Sequence, residues 1–326
     1  MLGEFDLIRE YLRPLAREAP GALGLGDDAA LLSLPPGREL VLTADALVSG
    51  VHFLPADPPD LVAQKLLRVN LSDLAAMGAE PLGYLVTVTL PAVDTEAWMS
   101  AFAAGLARDQ QNFGLSLLGG DTTCGGEQVV LSLTALGTVE AGQALRRKGA
   151  QAGDRLYVSG TIGDSFLGLK LQQGGLTGLG AEARAALIER YRRPRPRLAL
   201  GTALARDRLA RAAIDVSDGL VADVGHLAAE SGLAAAIEAE RVPLSPAAQA
   251  AVAEDPALLG ALLTGGDDYE LAFAVRPDAA PAVDRLAASL SLALTPIGSL
   301  QAGQGVTVVD HSGAELPLER RGWSHF

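Results

Sequence analysis

The chain has 326 residues, of which 39 are acidic and 26 basic, so its net charge is −13 at neutral pH. This length exceeds the roughly 250–300 residues at which one hydrophobic core stops growing, and it predicts two domains. The acidic balance argues against nucleic acid and against an anionic membrane surface as partners, because both would repel the protein. The single cysteine, Cys124, excludes an intrachain disulfide and indicates a reducing cytoplasm. No apolar run approaches the roughly 18 residues of a membrane span.

Hydrophobic periodicity predicts alternating helices and strands in the first half of the chain. Three helices are expected. They span residues 4–17, residues 57–78 with Asp57 as the N-terminal cap, and residues 95–113. Strands are expected at residues 39–43, 82–90, 115–118 and 128–139. The third of these strands is short and is expected to end before a Gly-Gly-Asp turn.

The second half follows a link at residues 140–153 that is rich in Gly, Ala, Gln and Arg. Strands are expected at 155–159, 212–216 and 269–275, with alternating exposure in the last one. Ser217-Asp218-Gly219 is expected to cap a helix. The basic stretch 192–197, which prolines interrupt, predicts a surface segment or an interface. The predicted domains span residues 1–140 and 148–326.

Aspartates recur beside glycine turns and at the ends of predicted elements. Four of them stand in the motifs GLGDDAAL, TAD, VNLSD and GGD, namely Asp28, Asp45, Asp73 and Asp121. Any one of these alone is more often a helix or turn cap. Together they predict Mg²⁺ sites, since hard cations prefer carboxylate oxygens and Mg²⁺ leaves positions open to phosphates. Thr43, two residues before Asp45, adds a candidate hydroxyl ligand.

The chain has no Walker A lysine motif and no Rossmann glycine motif, so a bound nucleotide would be held by metals. Gly119 and Gly120 would let backbone N–H groups approach phosphate oxygens. Arg147 near the link either clamps a phosphate or is a solvated linker charge. His52 is close enough to Asp45 to face the same crevice. No residue set resembles a general base with a nucleophile, which fits a phosphate acceptor that is already ionised.

Nine segments of the chain resemble the thiamine-monophosphate kinase family of the aminoimidazole ribonucleotide synthetase-like superfamily. They are GEFDLI, GLGDDAALL, TADALVSGVHF, VNLSDLAAMGAEP, LLGGDTT, LRRKGAQAGD, AIDVSDGL, GGDDYEL and the terminal GWSHF. The resemblance implies an α+β (mixed α/β) fold of two domains. The N-terminal domain would hold metal and ATP and pair its sheet in a homodimer, and helices would cover the C-terminal sheet. It implies ATP-dependent phosphorylation of thiamine monophosphate to thiamine diphosphate.

The same resemblance assigns roles by matched position. Several Mg²⁺ ions would be bound by Asp28, Thr43, Asp45, Asp73, Asp121, Asp215 and Asp218. ATP would contact Gly120, Asp121, Arg147 and Ser217. The substrate would contact His52, Asp267 and a C-terminal residue, either Arg320 or Trp323.

Three positions depart from the family pattern. Asp267 stands where Glu is common, and Arg320 occupies a position that is often aromatic. Trp323 either substitutes for that aromatic residue or belongs to the core. Ala44 replaces a frequent hydroxyl residue beside Asp45.

The hypothesis is direct in-line transfer from ATP to the phosphate of thiamine monophosphate, without a covalent intermediate. One alternative is another ATP-dependent synthetase of the superfamily, although Cys124 lies at neither terminus, where such enzymes carry reactive cysteines. A second is a non-catalytic nucleotide-binding or metal-binding protein. A third is a Mg²⁺-dependent phosphatase.

Overall fold

The computed structural model describes residues 3–92, 95–176 and 178–324. It divides into two compact units. The first unit contains Met1–Leu74 and Ala79–Gly142, and the second contains Ala75–Gly78 and Gln143–Phe326. Among the described residues, no helix combines the length and the apolar character that crossing a bilayer requires.

The first unit is built on a four-stranded sheet with the order β1-β4-β2-β3. Strand β4 is antiparallel to β1 and β2, whereas β2 and β3 are parallel. The strands are β1 (Arg38–Val48), β2 (Glu80–Leu90), β3 (Ser116–Cys124) and β4 (Val130–Glu140). The α-helices are α1 (Glu4–Leu7), α2 (Pro59–Ala76) and α3 (Thr95–Phe113), and tighter or wider helical turns occupy Ile8–Leu12, Arg13–Ala16 and Pro20–Leu25.

The faces of this sheet differ because alternate residues of β1 point to opposite sides. Val41 and Leu47 are buried on the side of α2, whereas Leu40 and Leu42 are exposed on the other side. Helix α3 is tied to α2 by Asp109, which accepts hydrogen bonds from Gln64 Nε2 at 2.9 Å and from Arg68 Nε at 2.6 Å. Helices therefore cover one face of the sheet and leave the opposite face open.

Three predictions for the first unit need correction. Strand β3 continues through Gly119-Gly120-Asp121, so these residues form part of a strand instead of the turn that follows it. Strand β1 extends to Val48 and carries Asp45 in its interior. Helix α2 begins at Pro59, and the Asp57 side chain accepts the N–H of Leu54 at 2.9 Å, upstream of the helix.

The second unit contains a six-stranded sheet with the order β10-β7-β9-β5-β8-β6. Only the β10–β7 pair of this described sheet is parallel. The strands are β5 (Arg155–Ser159), β6 (Ala210–Asp215), β7 (Leu233–Glu238), β8 (Leu271–Val275), β9 (Leu294–Ala302) and β10 (Gly305–Val309). The helices are α4 (Asp164–Gln172), α5 (Ala181–Arg192), α6 (Leu198–Arg206), α7 (Leu220–Glu230), α8 (Pro246–Glu254), α9 (Leu258–Thr264) and α10 (Ala280–Leu290), with short 3-10 turns at Ala239–Arg241 and Pro277–Ala279.

Both faces of this second sheet are covered. Ala272 and Ala274 of β8 belong to a cluster with Val224 of α7. The alternate residues of β8, among them Phe273, belong to a cluster with Leu204 of α6. All five residues of β8 are therefore buried, and the predicted alternation of exposure in this strand was wrong.

Candidate functional site

A threonine and an aspartate from different elements meet on the covered face of the first sheet. Thr43 Oγ1 of β1 donates a hydrogen bond to Asp73 Oδ2 of α2 at 2.5 Å. Asp45 lies two residues further along the same face of β1, and its N–H donates to Asn70 Oδ1 at 3.1 Å. Asn70 is fully buried and donates from Nδ2 to the Leu66 carbonyl at 2.9 Å. The sequence reasoning missed this asparagine, although it stands in the quoted motif VNLSD.

Asp121 is exposed on β3, opposite Thr87 of β2. Its neighbour Gly120 packs so closely against β2 that a Cβ atom would lie 1.9 Å from the Val86 carbonyl oxygen. The need for glycine at position 120 therefore follows from strand packing, whatever ligand approaches it. Asp28 lies in an exposed bend.

His52 is anchored in the turn after β1. Its Nδ1 accepts a hydrogen bond from the N–H of Val48 at 3.0 Å. The accepting nitrogen carries no proton, so in the neutral imidazole the proton sits on Nε2. The ring is half-buried, and its orientation is fixed by the backbone of the strand that carries Asp45.

In the second unit, the loop Ser217-Asp218-Gly219 joins β6 to α7. Asp223 Oδ2 accepts the N–H groups of all three loop residues, at 3.0, 3.0 and 3.1 Å. Burial and the nearby Asp218 carboxylate together raise the pKa of Asp223 to about 7, against the opposing effect of the three N–H donors. The sequence did not single out Asp223.

The same loop holds two candidate substrate residues by their backbones. The N–H of Asp267 donates to the Ser217 carbonyl at 2.7 Å, and the N–H of Trp323 donates to the Asp218 carbonyl at 2.8 Å. Asp267 has a φ of 70°, a left-handed conformation that is uncommon outside glycine and that recurs at functional sites. Ser217, Asp218, Asp267 and Trp323 are thus neighbours.

The other candidates in the second unit are Asp215, Arg147 and Arg320. Asp215 is buried at the end of β6. The Arg147 side chain is exposed, and its carbonyl accepts a hydrogen bond from Ser231 Oγ at 3.2 Å. Arg320 is exposed. Of the terminal GWSHF motif, His325 and Phe326 lie outside the described residues.

A buried ionic cluster lies under the turn that carries Asp267. Glu270 is fully buried and accepts hydrogen bonds from Ser159 Oγ at 2.6 Å, Arg190 Nη2 at 2.9 Å and Arg197 Nε at 2.6 Å. The prediction of a surface segment at 192–197 is therefore wrong for Arg197, because its charge neutralises a core carboxylate. The sequence reasoning missed Glu270 and Arg190.

Asp268 is also fully buried, and both its carboxylate oxygens lie 2.9 Å from the N–H of Gly163. Burial raises the pKa of Asp268 well above its usual value, with opposing contributions from the Gly163 N–H and from Arg190. The native state therefore holds a proton that the unfolded chain releases near pH 3.8.

The raised pKa of Asp268 gives a pH-dependent prediction. Its contribution to stability is complete below pH 3.8 and is lost as the pH rises towards the native pKa. The free energy of unfolding of wild type should therefore fall relative to that of Asp268→Asn as the pH increases above about 4. Urea unfolding of both proteins over a pH series measures this difference. Asp207→Asn is the control. Because Arg206 lowers the pKa of Asp207, the free energy of unfolding of wild type can only rise relative to that of this variant as the pH increases. A pH-independent difference for Asp268→Asn would contradict the prediction.

Within the described ranges, no three Asp, Glu, His or Cys side chains are arranged to hold one metal ion. Mg²⁺ usually takes only one or two carboxylates and fills its octahedral shell with water and substrate phosphate. Thr43 and Asp73, with Asp45 close by, could supply the one or two protein carboxylates, and a hydroxyl, that such a Mg²⁺ ion needs.

Comparison with known families defines the class of protein. Residues 26–139 match the N-terminal domain of AIR synthase related proteins, and residues 151–311 match the C-terminal domain of the same proteins. The fold and the two matches together define a two-domain protein of the AIR synthase related class. Hydrogenase maturation protein HypE in complex with ATP aligns with a TM-score of 0.78 at 18% identity, which shows a shared fold alone.

Individual relatives identify the family within this class. The thiamine-monophosphate kinase of Caulobacter vibrioides is 46% identical over 325 residues, which cover 99% of this chain and 90% of that protein. The solved thiamine-monophosphate kinase from Stenotrophomonas maltophilia K279a is 44% identical with a TM-score of 0.85, over 94% of this chain and 96% of that one. AaThiL complexed with AMPPCP and TMP is 33% identical with a TM-score of 0.78, over 100% of this chain and 97% of that one. The chain belongs to the thiamine-monophosphate kinase family, so the predicted resemblance and fold class are confirmed.

Proposed function

We propose that this chain transfers the γ-phosphoryl group of ATP to the phosphate of thiamine monophosphate, giving ADP and thiamine diphosphate. The observation that carries the proposal is the likeness over the whole chain to AaThiL complexed with AMPPCP and TMP. AMPPCP stands in for ATP, with a methylene group in place of the oxygen between its β and γ phosphorus atoms. A relative that holds both ligands has one reactant of a phosphoryl transfer bound together with an analogue of the other.

The reaction makes modest demands on side-chain chemistry. A phosphate monoester has a second pKa near 6 and is largely ionised at neutral pH, so the acceptor needs no general base. Transfer can then proceed directly, with the attacking and leaving oxygens in line. The task of the chain is to position the two phosphates and to offset their negative charge.

The proposal includes several Mg²⁺ ions, because the chain itself is acidic and cannot neutralise two phosphorylated reactants. The donor chemistry fits, since carboxylate and hydroxyl oxygens are the ligands that Mg²⁺ prefers. Thr43 Oγ1 and Asp73 Oδ2 are already neighbours at 2.5 Å. Bound Mg²⁺ would neutralise charge on the phosphate oxygens. The proposed ligands are Asp28, Thr43, Asp45, Asp73 and Asp121 in the first unit, and Asp215 and Asp218 in the second.

ATP is proposed to contact Gly120, Asp121, Arg147 and Ser217. The N–H of Ser217 donates to Asp223, so its contact with ATP would be made by the hydroxyl group. The guanidinium of Arg147 is exposed, and its planar fork suits a phosphate.

The thiamine moiety is proposed to contact His52, Asp267 and Trp323. Trp323 is favoured over Arg320 because its backbone is fixed to Asp218 while 46% of the residue is exposed. An exposed indole held beside the candidate loop is suited to stack on an aromatic ring.

The decisive experiment mixes the purified chain with ATP, Mg²⁺ and thiamine monophosphate and separates the products by chromatography. Thiamine diphosphate and ADP should appear in equal amounts, and chelation of Mg²⁺ should stop both. ADP formation without thiamine monophosphate, or release of inorganic phosphate as the main product, would refute the proposal. The proposal includes a cytoplasmic location, the compartment that supplies ATP.

The proposal also includes a homodimer formed through the open face of the first sheet. Four apolar residues are exposed there, Leu40 at 38%, Leu42 at 60%, Leu85 at 40% and Val130 at 38%. The register places them on one face, because β1 and β2 both pair with β4. Several apolar residues exposed on one face of a sheet support association with a second copy.

Leu42→Asp should convert this dimer to a monomer, because the substitution places a charge at the most exposed of the four apolar residues. Size-exclusion chromatography with light scattering measures the mass of the particle. Leu31→Asp is the matched control, since Leu31 is 69% exposed but lies outside the sheet, and it should leave the mass unchanged. A dimeric Leu42→Asp variant would place the dimer contact elsewhere.

A further inference from the structure

Three consecutive peptide groups in the second unit have both their N–H and their C=O groups in hydrogen bonds. They join Val216 to Ser217, Ser217 to Asp218, and Asp218 to Gly219. On one side, their N–H groups donate to Asp223 Oδ2, at 3.0, 3.0 and 3.1 Å. The Asp223 side chain reaches back from the first turn of α7, and the residue is 3% exposed.

The carbonyl groups of the same three peptides are also occupied. The Val216 carbonyl accepts the N–H of Tyr269 at 2.8 Å, and the Ser217 carbonyl accepts the N–H of Asp267 at 2.7 Å. The Asp218 carbonyl accepts the N–H of Trp323 at 2.8 Å. Two of these donors are candidate substrate residues.

A peptide group is planar, and in the trans form its N–H and C=O point in opposite directions. A hydrogen bond to the N–H therefore fixes the direction of the C=O in the same plane. One carboxylate oxygen thus sets the orientation of three carbonyls, which in turn hold Tyr269, Asp267 and Trp323.

The amides at a helix N-terminus are common donors to bound phosphate, but here the Asp223 carboxylate already takes those of the loop before α7. The loop must therefore present its hydroxyl and carboxylate side chains to any ligand. These are the side chains of Ser217 and Asp218, the proposed ATP and metal contacts.

We infer that Asp223 is a positioning residue that holds Ser217, Asp218, Asp267 and Trp323 in one fixed arrangement for the two phosphorylated reactants. The inference rests on the proposed function for its kinetic consequence, but its structural consequence is independent of that function. Loss of the carboxylate should release Trp323 and Asp267, which lie far from Asp223 in the sequence.

Tryptophan fluorescence tests the structural consequence. The chain has two tryptophans, and Trp98→Phe leaves Trp323 as the single reporter while a ring is kept beside Phe102. In this background, acrylamide quenching of Trp323 should increase in Asp223→Ala, and less in Asp223→Asn, which keeps an acceptor oxygen. Glu230→Ala, an exposed position on the same helix, is the control and should not change the quenching. Unchanged quenching in a folded Asp223→Ala variant would overturn the inference.

Steady-state kinetics test the functional consequence. Loss of a group that orients ligand-binding residues typically lowers activity by about 10- to 100-fold. We expect kcat/KM to fall by about that factor in Asp223→Ala and by less in Asp223→Asn, with KM raised for both substrates. A loss of thermal stability with unchanged KM values would show that Asp223 acts only as a helix cap and would overturn the inference. An inactive wild type would refute the proposed function, and the quenching result would still stand.

Hydrogen exchange keeps the inference testable if Asp223→Ala does not fold. In Asp223→Asn, amide exchange should become faster at residues 217–219 and also at residues 267 and 323. Amides in β8 should keep their protection, because that strand is buried on both faces. Faster exchange confined to residues 217–219 would show that the carbonyl side is not coupled to Asp223, and the inference would fail.

Discussion

Replacement of Glu270 by glutamine should lower the free energy of unfolding by about 3–5 kcal/mol. Glu270 is fully buried, and its carboxylate is the counter-charge for Arg190 and Arg197. Arg190 is 7% exposed, so water cannot replace the lost partner. Glutamine keeps the shape and an acceptor oxygen for Ser159, but it leaves two guanidinium charges inside the protein without compensation. This loss is a large part of the roughly 5–15 kcal/mol that stabilises a typical protein.

Urea unfolding followed by circular dichroism measures this change. Glu189→Gln is the matched control, because Glu189 pairs with Arg193 one helical turn away at a half-exposed position. Such surface pairs contribute about 0.3–0.5 kcal/mol, so the control should remain near wild type. A loss below about 1 kcal/mol for Glu270→Gln would mean that water or another group compensates the two arginines.

The local pattern predicted the elements that depend on neighbours in sequence. The helix at 95–113 and the strand at 155–159 have the predicted bounds, because their apolar periodicity is regular and turn residues flank them. A helix beginning directly after Ser217-Asp218-Gly219 was also predicted, but its N-cap is Gly219 without a side-chain cap, and the loop N–H groups donate to Asp223 instead. Exposure was predicted less well, since β8 is covered on both faces by helices from distant parts of the chain.

The limits of the sequence are clearest in the segment from Asp267 to Glu270. The sequence shows three acidic residues there, but it does not show which of them are buried. In the structure, Asp268 and Glu270 are fully buried while Asp267 is half-buried. The arginine partners of Glu270 lie 73 and 80 residues away, so only the tertiary fold brings them together.

Asp223 shows the same limit for the candidate site. No glycine turn or strand end marks this residue in the sequence, and on a helix it resembles any solvated carboxylate. Its role depends on a side chain that folds back onto the preceding loop. That conformation is a tertiary property, since Asp267 and Trp323 hold the opposite side of the loop.

Asp73→Asn should reduce kcat by about 100-fold or more and leave the fold intact. Asparagine has nearly the same shape as aspartate, and its carbonyl oxygen can accept the Thr43 hydroxyl that now lies 2.5 Å from Asp73 Oδ2. The free energy of unfolding should therefore change by less than about 1 kcal/mol. Only the negative charge is lost, and that charge is what a bound Mg²⁺ requires. Steady-state kinetics at several Mg²⁺ concentrations measure the effect.

Two further variants separate a metal ligand from a structural contact. Asp60→Asn removes a carboxylate from the same helix, where it pairs with Arg108 at a half-exposed position, and kcat should stay within about threefold of wild type. Thr43→Val removes the hydroxyl and keeps the Asp73 charge, so kcat should fall less than in Asp73→Asn and should recover partly as Mg²⁺ is raised. If Asp73→Asn instead keeps kcat within about threefold, Asp73 holds no essential cation. The Thr43–Asp73 hydrogen bond would then serve only to join β1 to α2.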